Sequence, residues 1–109
     1  MEGLELICFQ IIMNSGNARS LYIEAINDAK EYKFDDAKKK MEEASEAFNE
    51  CHKIHAQLIQ QEADQGSVPF QLLLLHAEDL QMSAETFGIL AEQYVDLYKK
   101  IQALENNKL

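Results

Sequence analysis

From Leu4 to Tyr32, apolar or small residues return every third or fourth position: Leu4, Cys8, Ile11, Ser15, Ala18, Tyr22, Ala25, Ala29 and Tyr32. That spacing follows the turn of an α-helix and has nothing of the two-residue period of a strand. The same rhythm runs through the rest of the chain, and little interrupts it. Among 109 residues there are one proline and four glycines, too few turn formers for a sheet protein. Three long helices follow: the first over Leu4–Tyr32, the second from about Phe34 to Ala63, the third from about Val68 to Glu105. Short turns between them make an antiparallel up-down-up three-helix bundle, an all-α fold of one domain over residues 1–109.

The break between the first two helices is weakly marked at Glu31-Tyr32-Lys33-Phe34, with Asp35 and Asp36 favouring a new helix start. The second break is clear. Asp64-Gln65-Gly66-Ser67-Val68-Pro69 supplies a glycine for a helix end, a capping serine and an early proline. Asn14-Ser15-Gly16-Asn17 is a poor helix former inside helix one, and its small residues suit the close approach of another backbone. Asn106 to Leu109 should fray.

A net charge of −9 offers no basic stripe for phosphate backbones, so nucleic acid is excluded as a partner and a basic protein suits the chain better. Cys8 and Cys51 fall on apolar helical positions, as reduced thiols do. The N-terminus lacks the layout of a signal peptide and no apolar run reaches membrane-spanning length. The expectation is a cytoplasmic protein with no direct membrane insertion.

Helix three carries the chemistry. One row follows Leu73, His76, Leu80, Ser83, Phe87, Leu90, Tyr94, Leu97, Ile101 and Leu104; a second follows Leu72, Leu75, Asp79, Met82, Thr86 and Ile89. Two adjacent apolar seams require more neighbours than one small bundle supplies, which predicts an oligomer. His76 interrupts the first seam and Asp79 the second, side by side at three residues' spacing. A buried carboxylate needs compensation. Copies of Asp79 converging on an oligomer axis would be relieved by one hard divalent cation. A neutral imidazole at His76 has a ring nitrogen with a lone pair and accepts a phosphoryl group. Packing alone is the competing reading of His76. Cys51, His52 and His55 form a weaker cluster, in which Cys51 and His55 at four residues' spacing could grip zinc but lack further ligands. Arg19, the only arginine, could steady a phosphate or form a surface ion pair.

Asn14-Ser15-Gly16-Asn17-Ala18-Arg19-Ser20 and His76-Ala77-Glu78-Asp79 with Met82 resemble the motifs NSGxARS and HAQDHLM of the lactose/cellobiose-type enzyme IIA. That enzyme belongs to the bacterial phosphoenolpyruvate-dependent sugar phosphotransferase system. The resemblance covers nearly the whole chain, including Asn49-Glu50-Cys51-His52. It implies a homotrimer of three-helix bundles in which His76 takes a phosphoryl group from the carrier HPr and passes it to a IIB component. It further implies that Asp79 lies at the trimer axis around a metal ion, usually magnesium (Mg), one per trimer. N,N′-diacetylchitobiose, cellobiose and lactose are the sugars of the class. The alternative is a regulatory or helical interaction module built on the same bundle. Two residues depart from the motif. Glu78 stands in place of glutamine, where its charge would repel phosphate if it faced the site. Leu80 stands in place of a second histidine and leaves the pocket less polar, with Gln81 next door as a substitute about 100° further round the helix.

Overall fold

A computed structural model describes residues 3–67 and 71–107. Three helices account for nearly all of them: α1 (Gly3–Lys30), α2 (Phe34–Gln65) and α3 (Leu72–Asn106). They run up, down and up in a rod of 66 × 21 × 20 Å. No described helix is long and apolar enough to cross a membrane.

The bundle is centred on α1. Its buried residues are Cys8, Ile11, Ser15, Ala18, Tyr22, Ala25 and Ala29, the row expected from the three-and-four spacing. The Asn14-Ser15-Gly16 patch does not break it, because Asn14 Nδ2 donates to the Gln10 carbonyl at 2.9 Å and Ser15 is buried. Gly16 admits no neighbour, however: a Cβ built there meets nothing within 4 Å. The close approach expected at Gly16 does not occur within this bundle.

α1 ends in a left-handed residue. Tyr32 has φ 61°, the Lys33 amide donates to Asp28 at 2.9 Å, and the Tyr32 amide donates to Ala29 at 3.0 Å. This paired arrangement satisfies the helix's last carbonyls and usually employs glycine. Tyr32 compensates through its ring, which stacks 6.0 Å from Phe34, and through its hydroxyl, which Glu105 holds above the ordinary phenol pKa. α2 ends as expected at Gly66 (φ 80°), whose amide bonds the Glu62 carbonyl at 2.8 Å. Ser67 is not the cap of α3. Gln71 occupies that position in an extended conformation without a side-chain cap bond, and Val68 and Pro69, expected in the first turn, lie outside the described residues.

The largest departure concerns which face of α3 is inside. Neither leucine-rich row is the core seam. The buried residues are Ala77, Gln81, Ala84, Ala91 and Val95. Ala84 and Ala91 cluster with Ala18 and Tyr22 of α1, Val95 with Ala25 and Ala29, and Ala77 with Cys8 and Ile11. Small side chains on both helices bring the two backbones together, and the bulkier residues of α3 are displaced to the flanks and the outside. Leu72, Leu75, Met82, Ile89, Leu90, Tyr94, Leu97 and Leu104 are all exposed. A residue count that weights leucine above alanine therefore selects the wrong stripe.

Gly88 belongs to the same close contact. A Cβ there would lie 2.8 Å from Tyr22 Cζ and 2.9 Å from its hydroxyl oxygen. Gly88→Ala should cost about 1–3 kcal/mol of overpacking less the roughly 1 kcal/mol that alanine gains over glycine in a helix, a net loss of about 0–2 kcal/mol, because what must shift is the far end of the Tyr22 side chain. The comparison is made by urea unfolding. Combining it with Tyr22→Leu, which vacates the space, should recover part of the loss.

Candidate functional site

His76 and Asp79 sit on the outward side of α3, both exposed. The inward turn of the helix is held by Ala77, which is fully buried against Cys8, Ile11, Cys51, Ile54 and Leu58, with Leu73 and Leu74 packed alongside. Anchoring Ala77 inward turns His76 to the edge of the bundle, where it lines an open apolar cleft with Leu72 and Leu73. Its ring is reachable from solvent in the single chain. Asp79 follows one turn later in the exposed row Leu72, Leu75, Asp79, Met82. No ion pair joins His76 to Asp79 among the described residues. They share a surface without binding each other.

Glu78 does not face this surface. Two residues beyond His76 on a helix is about 200° of rotation, and the carboxylate Oε1 lies 2.6 Å from His55 Nε2 on α2. Its charge is thereby turned away from His76, which removes the repulsion expected of it. Leu80 is partly buried on the His76 row and brings no polar atom. Gln81 does not substitute for the missing histidine. It is 6% exposed, in the core-facing row of α3, and its Oε1 lacks a hydrogen-bond partner. The register set by Gly88 against Tyr22 places Gln81 opposite Ser15, two turns earlier on each helix.

The Cys51, His52 and His55 cluster does not converge. Cys51 is fully buried, 3.2 Å from Ser15 Oγ and donating to the Ile11 carbonyl at 3.9 Å. His52 meets the Phe48 ring edge-on at 4.7 Å, and His55 is engaged by Glu78. Among the described residues no three His, Cys, Asp or Glu side chains are grouped to hold a metal ion. Arg19 forms no ion pair among the described residues; its guanidinium carbon lies 4.7 Å over the Phe87 ring. The His55–Glu78 pair is the feature that sequence reasoning missed. His55 was legible as an inward position of α2, but which residue of α3 it meets depends on the helix-to-helix register, which no spacing within one helix reveals.

The two thiols are inert. Burial pushes both Cys8 and Cys51 above the ordinary thiol pKa, and the charge of Glu78 adds to the rise in each; at Cys51 the Ser15 hydrogen bond draws part of it back. A raised folded value stabilises the fold while the thiols stay protonated. That contribution is complete below the unfolded thiol pKa of about 8.5 and is lost as pH climbs through the folded values. The melting temperature should accordingly fall above about pH 8.5, and the fall should be shallower in Cys8→Ala/Cys51→Ala. A thiol-titrating reagent should find neither cysteine in the native protein and both in denaturant.

Comparison with known proteins places this arrangement. The family model described as the lactose/cellobiose-specific IIA subunit of the PTS system matches residues 6–99. The lichenan-specific phosphotransferase enzyme IIA component of Bacillus subtilis (strain 168) is 40% identical over 100 residues, 92% of this chain and 91% of that protein. The N,N′-diacetylchitobiose-specific EIIA component of Escherichia coli (strain K12) is 35% identical over 102 residues, 94% of this chain and 88% of that one. Among solved structures, the cellobiose-specific enzyme IIA from Bacillus anthracis superimposes with a TM-score of 0.91 at 46% identity, covering 94% of each chain. The chitobiose IIA in its complex with HPr, from E. coli, gives a TM-score of 0.81 at 33% identity, covering 94% of this chain and 99% of that one.

Proposed function

Because this chain belongs to the lactose/cellobiose-specific IIA family of the sugar phosphotransferase system, we propose that it is a phosphocarrier whose acceptor is His76. The observation that carries the reading is the placement of His76: an imidazole held at the bundle surface, beside an open cleft, by the inward anchoring of Ala77. An HPr-type protein is the donor, by analogy with the chitobiose IIA found in complex with HPr, and a IIB component is the recipient.

The chemistry is two displacements at one ring nitrogen. The nitrogen lone pair attacks phosphorus of phospho-HPr, the N–P bond to His76 forms, and the donor's bond to phosphorus breaks with its electron pair returning to the donor. The second transfer reverses the roles, with IIB as nucleophile and His76 as leaving group. Such transfers depend on in-line placement and on charge stabilisation more than on general acids or bases. Turning Glu78 away keeps a carboxylate from the incoming anion.

A homotrimer accounts for the exposed apolar rows. Leu72, Leu75, Met82 and Ile89 are exposed along one side of α3, and an apolar stripe rowed along one helix is a common mark of a protein contact. Packing three copies of that stripe about an axis brings three Asp79 carboxylates together. One divalent ion, magnesium in this reading, would be held by them and would supply neutralisation of that buried charge. A single chain offers one carboxylate in an apolar row, which fits a site shared between copies. The protein acts in the cytoplasm, and sugar is handled by the membrane component. Incubation with phosphoenolpyruvate, enzyme I and HPr, followed by mass spectrometry, should find an acid-labile phosphate on His76. Phosphate elsewhere, or none, overturns the reading.

A further inference from the structure

α2 and α3 touch each other far less than either touches α1, and a groove lined by Tyr22, Met41, Phe48, Gly88 and Ile89 opens between them. Across this loose seam the described residues make one polar side-chain link, His55 Nε2 to Glu78 Oε1 at 2.6 Å. It is not at a random level. Glu78 lies in the second turn of α3, two residues past His76, on the opposite side of the same helix.

Within the single chain, apolar packing is what else holds that turn. α3 begins without a side-chain cap and without an acidic residue in its first turn. Its outward residues Leu72, Leu75, His76 and Asp79 are exposed. Inward, Leu73, Leu74 and Ala77 pack on the upper core. Apolar contacts resist separation but tolerate rotation and sliding, whereas a short hydrogen bond fixes a direction. The carboxylate side is walled by Leu58, Ile59, Glu62 and Leu74, so His55 meets Glu78 in a partly desolvated notch where such a bond is strengthened.

We propose that His55 and Glu78 are positioning residues for phosphoryl transfer: their bond clasps α2 to α3 and sets the azimuth at which His76 is presented. The inference rests on the phosphocarrier reading. It assigns Glu78, whose charge was a liability on sequence grounds, a role behind the helix instead of at the phosphate.

Four variants decide it: His55→Ala, Glu78→Ala, both together, and His55→Gln/Glu78→Gln, which restores an N–H···O bond between two amides without charge. Each single alanine variant should lower kcat for phosphate uptake from phospho-HPr by about 10- to 100-fold, as small misplacements do, with KM nearly unchanged. The double alanine variant should be no worse than either single one, and the double glutamine variant should regain most of the rate. Amide hydrogen exchange across residues 74–80 should quicken in the alanine variants and slow again in the glutamine pair. Wild-type phosphorylation with an undiminished kcat in the single variants, or additive losses in the double, overturns the clasp and leaves the carrier reading standing. A wild-type chain that takes no phosphate at His76 overturns the carrier reading and the positioning role with it, even if exchange responds.

Discussion

With His76→Ala, uptake of phosphate from phospho-HPr should fall by at least about 1,000-fold, because loss of a covalent nucleophile leaves no second group able to take its place. Glu78 is engaged by His55, Asp79 lies in a separate row of α3 from His76, and His52 lies edge-on to Phe48 on another helix. The helical fold should survive intact, since His76 is exposed and contributes nothing to the core. Circular dichroism and a melting curve check that point, and a gel shift or mass spectrum checks the phosphate. The variant should still bind HPr, so a binding assay run beside the transfer assay separates a carrier from a scaffold. If His76→Ala is phosphorylated at the wild-type rate, the acceptor lies elsewhere.

Met82→Glu should convert the assembly to monomers. Met82 is 66% exposed in the single chain, one turn beyond Asp79 in the outward row. In a trimer packed through that row, three added carboxylates would enter an apolar interface already carrying three. Burying uncompensated charge costs several kcal/mol per ion, enough to exceed the affinity of most such interfaces at micromolar concentration. Light scattering or sedimentation should report trimers for the natural sequence and monomers for the variant. The monomer should keep its helical spectrum, because Ala77, Ala84 and Ala91 hold α3 to α1 from the other side. A natural sequence that is monomeric, or a variant that stays trimeric, refutes the placement of this stripe at a subunit contact.

Helix number, order and the turn at Gly66 were all legible in the sequence, as was every buried residue of α1. Periodicity within a helix and the chemistry of glycine are local properties, and a single chain displays them in full. The inward face of α3 was not legible. Hydrophobicity ranks leucine above alanine, but a close helix pair selects for small volume: Ala84 and Ala91 cluster with Ala18 and Tyr22, and Val95 with Ala25 and Ala29. The error had a useful side. Leu72, Leu75, Met82 and Ile89 of the second row, and Leu90, Leu97 and Leu104 of the first, face away from this chain. His76 and Asp79 were identified as candidates by residue type, while their shared exposure, and the turning of Glu78 toward His55, depended on contacts between helices.

The outward leucines of α3 bear on how a single chain behaves in water. A newly made subunit would display an oily strip along most of its longest helix, the kind of surface that captures other unfinished proteins. The formal charge of −9 opposes indiscriminate clumping by long-range repulsion. Solubility of the single chain should therefore decline as salt rises and screens that charge.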